Sequence, residues 1–370
     1  MRMTRRTALT ALGTTLGTGL AMPFVRPSWA QGSSVNVYNW ADYIGETTIA
    51  DFEAETGISV VYDNYASSEE AQAKMLAGST GYDVVLQSGL SLPQFVTAGV
   101  YQPLDRARLT GWGNLDPAVL VILEGFDPGL RHCVPYMWGS VGFTFNLDMV
   151  RARLPDADLS DMATIFTAEN AAKLADCGIS LLDSPTDIGF MVMSWLGIDP
   201  SSAGPAEYAK MAAAFVPMRP YVATFDNANY INAIPNGELC VVNSWSGDYA
   251  VAAARAAEAG VDINLAYYVP RTGAPAWFDL WCMPTDAPNP DNAYLFMDYL
   301  LRPEVIAAAT NYTGYANANL AARAFVDAAI LADPAIYPDA ETLSRLYTPR
   351  PQTEAQDRDI TRIWQQIKAG

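Results

Sequence analysis

The segment Val35-Asn36-Val37-Tyr38-Asn39-Trp40-Ala41-Asp42-Tyr43 decides the fold. Its first five residues, rich in β-branched and aromatic side chains, read as a strand. Residues 48 to 55 follow with Ile49 and Phe52 at helical spacing, and Gly57 supplies the stop. Residues 58 to 62 read as a second strand, 68 to 77 as a second helix, and 82 to 86 as a third strand. This βαβαβ order predicts an α/β fold with a mainly parallel sheet flanked by helices. Ligands of such sheets gather beyond the C-terminal ends of the strands. The residues there are Trp40, Asp42 and Tyr43 after the first strand and Ser88 after the third.

The alternation resumes after a changeover near residues 136 to 143. Strands are predicted at 179 to 182, 239 to 242, 265 to 269 and 277 to 283, and helices at 187 to 196, 247 to 259 and 291 to 301. No internal repeat and no low-complexity linker separates the two halves. A two-lobed molecule without a linker implies that the chain passes between the lobes more than once, which favours a hinge with a cleft.

Composition narrows the function. The chain has 370 residues, 51% hydrophobic and 17% charged, a globular balance sufficient for about two domains. Its formal charge of −18 argues against a nucleic-acid surface, which needs clustered Lys and Arg, and favours a cationic partner. With His132 as the one histidine, triads and multi-histidine metal sites lack material, and His132 itself, set in an apolar stretch, reads as structural. No Cys/His spacing suggests zinc, and no phosphate loop or cofactor fingerprint is present, so neither a metal nor a cofactor is expected.

Residues 1 to 30 read as an address label. Arg5-Arg6 precede a weakly apolar stretch, residues 10 to 25, interrupted by Gly13 and Gly17. Ser28-Trp29-Ala30 then forms a small-x-Ala cleavage pattern before Gln31. The reading is export to the periplasm by the twin-arginine route with cleavage after Ala30; an N-terminal membrane anchor or a disordered start is the competing one. Cleavage removes four arginines and no acid, leaving 18 basic against 40 acidic residues, a net of −22. Cys133, Cys177, Cys240 and Cys282 are all retained, and four cysteines in an oxidising compartment allow three pairings.

Four carboxylates stand out for their neighbours: Asp42 in Asn39-Trp40-Ala41-Asp42-Tyr43, Asp187 in Asp183-Ser184-Pro185-Thr186-Asp187, Asp248 in Trp245-Ser246-Gly247-Asp248, and Asp279 in Trp277-Phe278-Asp279-Leu280-Trp281. An acid beside an aromatic suits an organic cation, since the π face attracts ammonium and covers methylenes while the carboxylate accepts N–H bonds. The simpler readings stay open. Asp187 and Asp248 also fit helix N-terminal acids, and Trp245 and Trp277 also fit core residues. Ser88 is a weak signal by itself.

Several stretches carry a resemblance. Residues 37 to 44 (Val-Tyr-Asn-Trp-Ala-Asp-Tyr-Ile), 52 to 57 (Phe-Glu-Ala-Glu-Thr-Gly), 77 to 83 (Ala-Gly-Ser-Thr-Gly-Tyr-Asp), 135 to 138 (Pro-Tyr-Met-Trp) and 315 to 319 (Tyr-Ala-Asn-Ala-Asn) resemble the periplasmic polyamine-binding proteins of ABC importers, in particular their putrescine branch. The likeness spans essentially the whole mature chain in the same order. It implies a two-lobed periplasmic binding protein fold of type II that closes on a linear polyamine, such as putrescine, agmatine or spermidine, and delivers it to a membrane permease. By the resemblance, Trp40, Tyr43, Trp245, Trp277 and Tyr315 are the aromatic walls, Asp42, Asp187, Asp248 and Asp279 the anions, and Ser88 a polar contact. It departs from the branch at Ala41, Asp187, Leu90 and Ser91. The expected lobes are residues 31–137 with 267–312, and 138–266 with 313–370, in a monomer that contacts no nucleic acid. The resemblance pairs Cys177 with Cys240. Cys133 and Cys282 stand where the family usually has small residues, both in predicted strands and each two residues before a proline, and a second bridge between them is expected as well.

Two rivals remain at this point. One is the same architecture with another small solute; the other is an exported enzyme acting on an amine or glycan through paired carboxylates.

Overall fold

The computed structural model describes residues 34–41, 43–65 and 68–370; the leader, its cleavage site and Asp42 lie outside the described residues. The opening segment folds as its pattern predicts. β1 (Ser34–Trp40) pairs in parallel with β2 (Ser59–Tyr65) and β3 (Val84–Ser88), and the helices Thr48–Thr56 and Ser68–Ala77 connect them. Gly57 ends the first helix in the left-handed region, φ 71°, where a Cβ is disfavoured.

Eight further strands follow: β4 (Cys133–Asn146), β5 (Ile179–Leu181), β6 (Val222–Phe225), β7 (Val241–Trp245), β8 (Leu265–Tyr268), β9 (Ala274–Cys282), β10 (Ala316–Asn317) and β11 (Leu346–Tyr347). Their spatial order is β2-β1-β3-β9-β4-β7-β5-β6, with β10 and β8 added to β4 and β11 to β9. The two ends are parallel, β1 to β3 on one side and β5 to β7 on the other. The centre is antiparallel, because β9 runs against both β3 and β4, and β4 against β7.

The buried side chains form two cores. One is built on Phe52, Phe95, Tyr136, Trp281 and Phe296, the other on Phe143, Phe190, Tyr208, Phe215 and Trp364. β4 passes from the first core at Trp138 to the second at Val141, and β9 returns beside it, from Ala274 in the second to Ala276 in the first. A third passage lies near β11, between Ile336 in the first core and Ile360 in the second. The chain therefore crosses between lobes three times, and two crossings are neighbouring strands of one ladder.

The lobe boundaries differ from those expected. Val269 and Ala274 belong to the second core, whereas Ala316, Ala318, Ala322, Val326 and Ile336 belong to the first. The reason is β10, whose Ala316 and Asn317 pair with Trp138 and Met137 of β4 and so hold this segment on the first lobe. In the C-terminal helix Glu354–Ala369, Ile360, Ile363, Trp364 and Ile367 pack into the second core.

Cys177 and Cys240 are joined by a disulfide. The other expected bridge is absent: Cys133 and Cys282 are buried free thiols, opposite one another across β4 and β9. His132 precedes β4 rather than lying within a strand, and its Nδ1 stands 2.9 Å from Asp127 Oδ1, a structural pairing.

Candidate functional site

The β4 and β9 crossing carries the site. Gly139 lies opposite Trp277 in the ladder, and a Cβ on Gly139 would collide with the Trp277 ring. The missing side chain therefore lets the indole lie against the strand. Two residues on, on the same face of β9, Asp279 stands opposite Ser88 at the end of β3. Ser88 and Asp279, far apart in sequence, are thus the two members of one rung.

Tyr315 joins the lobes. Its ring meets Trp277 at 5.1 Å and Tyr43 at 5.6 Å, both edge to face, a favoured aromatic geometry. Its hydroxyl donates to Asp248 Oδ1 at 2.5 Å, and Tyr230 donates to Oδ2 of the same carboxylate. Asp248 lies in the first turn of the helix Ser246–Glu258, where Gly247 is in contact with the Tyr315 ring and has no room for a Cβ. Both carboxylate oxygens accept from tyrosines, in addition to the helix N-terminal position that Asp248 holds in the first turn.

Asp187 sits half-buried in a single π-helical turn, Pro185–Gly189, a rare geometry that favours functional sites. It interacts with Ser184 and with Trp245, the half-buried last residue of β7. Trp40, the last residue of β1, stacks in a tilted geometry 4.4 Å from Tyr65. The structure thus brings together Tyr43, Ser88, Asp187, Trp245, Asp248, Trp277, Asp279 and Tyr315. Trp40 stands at the margin.

Electrostatics set these acids apart. Burial pushes Asp279 up to about 7, a rise that the adjacent Tyr43 phenol partly offsets without a hydrogen bond closing between them. Burial likewise raises Asp187 to about 6, against the lowering effect of Ser184 and Trp245. Asp248 is raised by burial despite its two tyrosine donors. Among the described residues none of the three forms a salt bridge, and no group of acids, histidines and cysteines is arranged to hold a metal ion. Buried carboxylates without a counter-ion are costly. Hydrophobic and aromatic walls with three unpaired anions suit an elongated organic cation.

Residues 47–338 match the family model of bacterial extracellular solute-binding proteins. The chain belongs to that family. The solute-binding protein is 42% identical to the putrescine-binding periplasmic protein PotF of Escherichia coli K12, over 92% of this chain and 93% of that one. It is 40% identical to the putrescine-binding periplasmic protein SpuD of Pseudomonas aeruginosa, over 98% and 97%. Among solved structures it superposes on the spermidine/putrescine ABC transporter substrate-binding protein PotD of Streptococcus pneumoniae with a TM-score of 0.77 at 25% identity, covering 91% of this chain and 99% of that one. These comparisons bear out the two-lobed solute-binding fold and the family likeness that the sequence motifs imply.

Sequence reasoning missed Tyr230, Tyr267 and Ser140. Tyr267 donates to the Ser140 carbonyl at 2.9 Å at the crossing and lies within electrostatic reach of Asp187 and Asp248. Gly139 and Gly142 inside β4 were the available signal, because a glycine within a strand marks a close approach. Tyr230 carries no signal in its local sequence.

Proposed function

We propose that the solute-binding protein is a non-catalytic periplasmic receptor that captures a linear polyamine, a diamine or agmatine in preference to spermine, and hands it to an ABC permease. One observation carries the reading: Asp279 is buried and Asp187 and Asp248 are half-buried, none of them in a salt bridge, beside aromatic rings contributed by both cores. The names of the most similar relatives agree with it. In this reading Asp248 and Asp279 hold one ammonium, Asp187 and Asp42 the distal end, Ser88 adds a polar contact, and Trp40, Tyr43, Trp245, Trp277 and Tyr315 cover the methylenes. Closure follows because the ligand gains contacts from both lobes only when they meet. The protein acts as a monomer and is exported by the twin-arginine route with cleavage after Ala30.

A calorimetric panel of putrescine, cadaverine, agmatine, spermidine and spermine tests this. Putrescine or agmatine should bind most tightly and be recovered chemically unchanged. Absence of heat with every polyamine, or mass-spectrometric detection of an altered product, would refute it.

A further inference from the structure

We infer that the C-terminal segment sets the position of Asp187: Lys368 and Trp364 grip the entry to its π-helical turn, and Tyr347 grips the exit. The inference rests on the reading of Asp187 as a ligand anion and deepens it by naming what holds that acid in place. Lys368, Trp364 and Tyr347 are positioning residues, separate from the walls and anions assigned above.

The turn Pro185–Gly189 follows β5 and runs into the helix Phe190–Trp195. A π turn is rare and occurs mostly within longer helices, so one standing at a helix start calls for support from outside. Its own backbone gives little, since the Asp187 N–H reaches the Ser184 carbonyl at 3.3 Å.

The entry is fixed at Asp183. Its N–H donates to Asn227 Oδ1 at 2.8 Å, and the Asn227 amide donates back to the Asp183 carbonyl at 3.3 Å. The Asp183 carboxylate is held from the final helix. Trp364 Nε1 donates to Oδ1 at 2.7 Å, and Lys368 Nζ donates to Oδ1 and Oδ2, each at 2.8 Å. Both donors are themselves anchored. Trp364 is buried, and Arg219 secures the helix end by donating to the Ile367 and Lys368 carbonyls at 3.0 and 2.5 Å.

The exit is fixed at Phe190. The Tyr347 hydroxyl donates to the Phe190 carbonyl at 3.1 Å and accepts from Ser194 at 2.7 Å. Burial raises the Tyr347 phenol and the Asp187 charge adds to the rise, so the two side chains lie within electrostatic reach. Tyr347 belongs to β11, opposite Pro275 of β9, which ties this end of the turn to the crossing ladder.

A partly exposed ion pair such as Lys368 with Asp183 contributes little to folding. Its value here is placement. Lys368 commits its charge to both oxygens of Asp183, and Asp187 is left without a cation of the protein among the described residues. An anion meant for a ligand needs this kind of rigid support from behind.

The test compares the mature protein with Lys368→Met, which keeps the stem of the side chain, and Tyr347→Phe, which keeps the ring. In the ligand-free proteins, hydrogen exchange read by mass spectrometry should be faster over residues 183 to 190 in both variants and unchanged over β7. Putrescine affinity by calorimetry should fall about three- to tenfold in each. In an Asp187→Asn background the same changes should cost about twofold or less, because the acid they position is gone. A role confined to folding would weaken both backgrounds alike. Lys368→Arg keeps the ion pair and should restore both readouts. Unchanged exchange over residues 183 to 190, or an equal loss of affinity with and without Asp187, overturns the proposal. If the unaltered protein gives no heat with any polyamine, the receptor reading fails, and the exchange result alone decides whether the C-terminal segment supports the turn.

Discussion

The Tyr315 hydroxyl donates to Asp248 Oδ1 at 2.5 Å, linking a ring that packs on the first core to a helix that springs from β7 of the second. The lobes are thus latched by a tyrosine and an acid of the protein itself. Tyr315→Phe removes the donor and keeps the ring. Small-angle scattering of the ligand-free variant should show a larger radius of gyration. Putrescine affinity should fall by about 1.5 to 3 kcal/mol, the range for a hydrogen bond to a charged group. Unchanged scattering together with an unchanged Kd would remove the latch.

Asp248→Asn keeps the shape and removes the charge. Loss of a buried partner to a cation should weaken putrescine binding by about 2 to 5 kcal/mol by calorimetry. A loss under about 0.5 kcal/mol would return Asp248 to the role of an ordinary helix-terminal acid.

Gly247→Ala places a methyl group where the Tyr315 ring now lies. Alanine suits a helix, so the helix itself should hold. The ring must move off Asp248, and overpacking of this kind typically costs about 1 to 3 kcal/mol. The expected outcome is weaker putrescine binding with little change in far-ultraviolet circular dichroism. Equal affinity in the two proteins would show that the close approach is dispensable.

pH should act in opposite senses on the free and bound protein. Asp279, at about 7, and Asp187, at about 6, hold protons in the folded state that their unfolded counterparts, near the ordinary 3.8, release. Between about pH 4 and 7 the native state binds more protons, so these groups favour folding as pH falls and oppose it as pH rises. A polyamine needs the ionised carboxylates and binds less well in the same direction. Thermal melts with and without putrescine should therefore show a ligand-induced rise in Tm that shrinks from pH 8 to pH 5. A rise that is constant or grows towards pH 5 would contradict the assignment of these acids as ligand anions.

Much of the fold was legible because local patterns and tertiary placement agree. β1 to β3 combine β-branched runs with helices ended by residues such as Gly57, and each overlaps its expected place, with ends shifted by about three residues at most. β4 was not legible as one strand. All fourteen of its residues are buried, so no alternation marks it, and Pro135, Gly139 and Gly142 read locally as breakers. Pro135 is tolerated beside a register shift between residues 135 and 138, and the two glycines make room for Trp277 and Tyr267. The site was legible where acids and tryptophans adjoin in sequence, at Asp248 and Asp279. It was illegible at Tyr230, whose role depends on a carboxylate 18 residues away that only the packing of the helix Tyr230–Ala233 brings near.

The order in which the cores are completed follows from the crossings. The first core takes its last buried side chains from the region of Ala322 to Ile336, and the second waits for Ile360 to Ile367 in the final helix. Neither lobe is a stretch of chain that a ribosome could finish and release to fold while the remainder is made. Both become complete only once almost the entire polypeptide has emerged, so folding of this receptor is an event that follows synthesis, and loss of the last helix should leave the second lobe open at its centre.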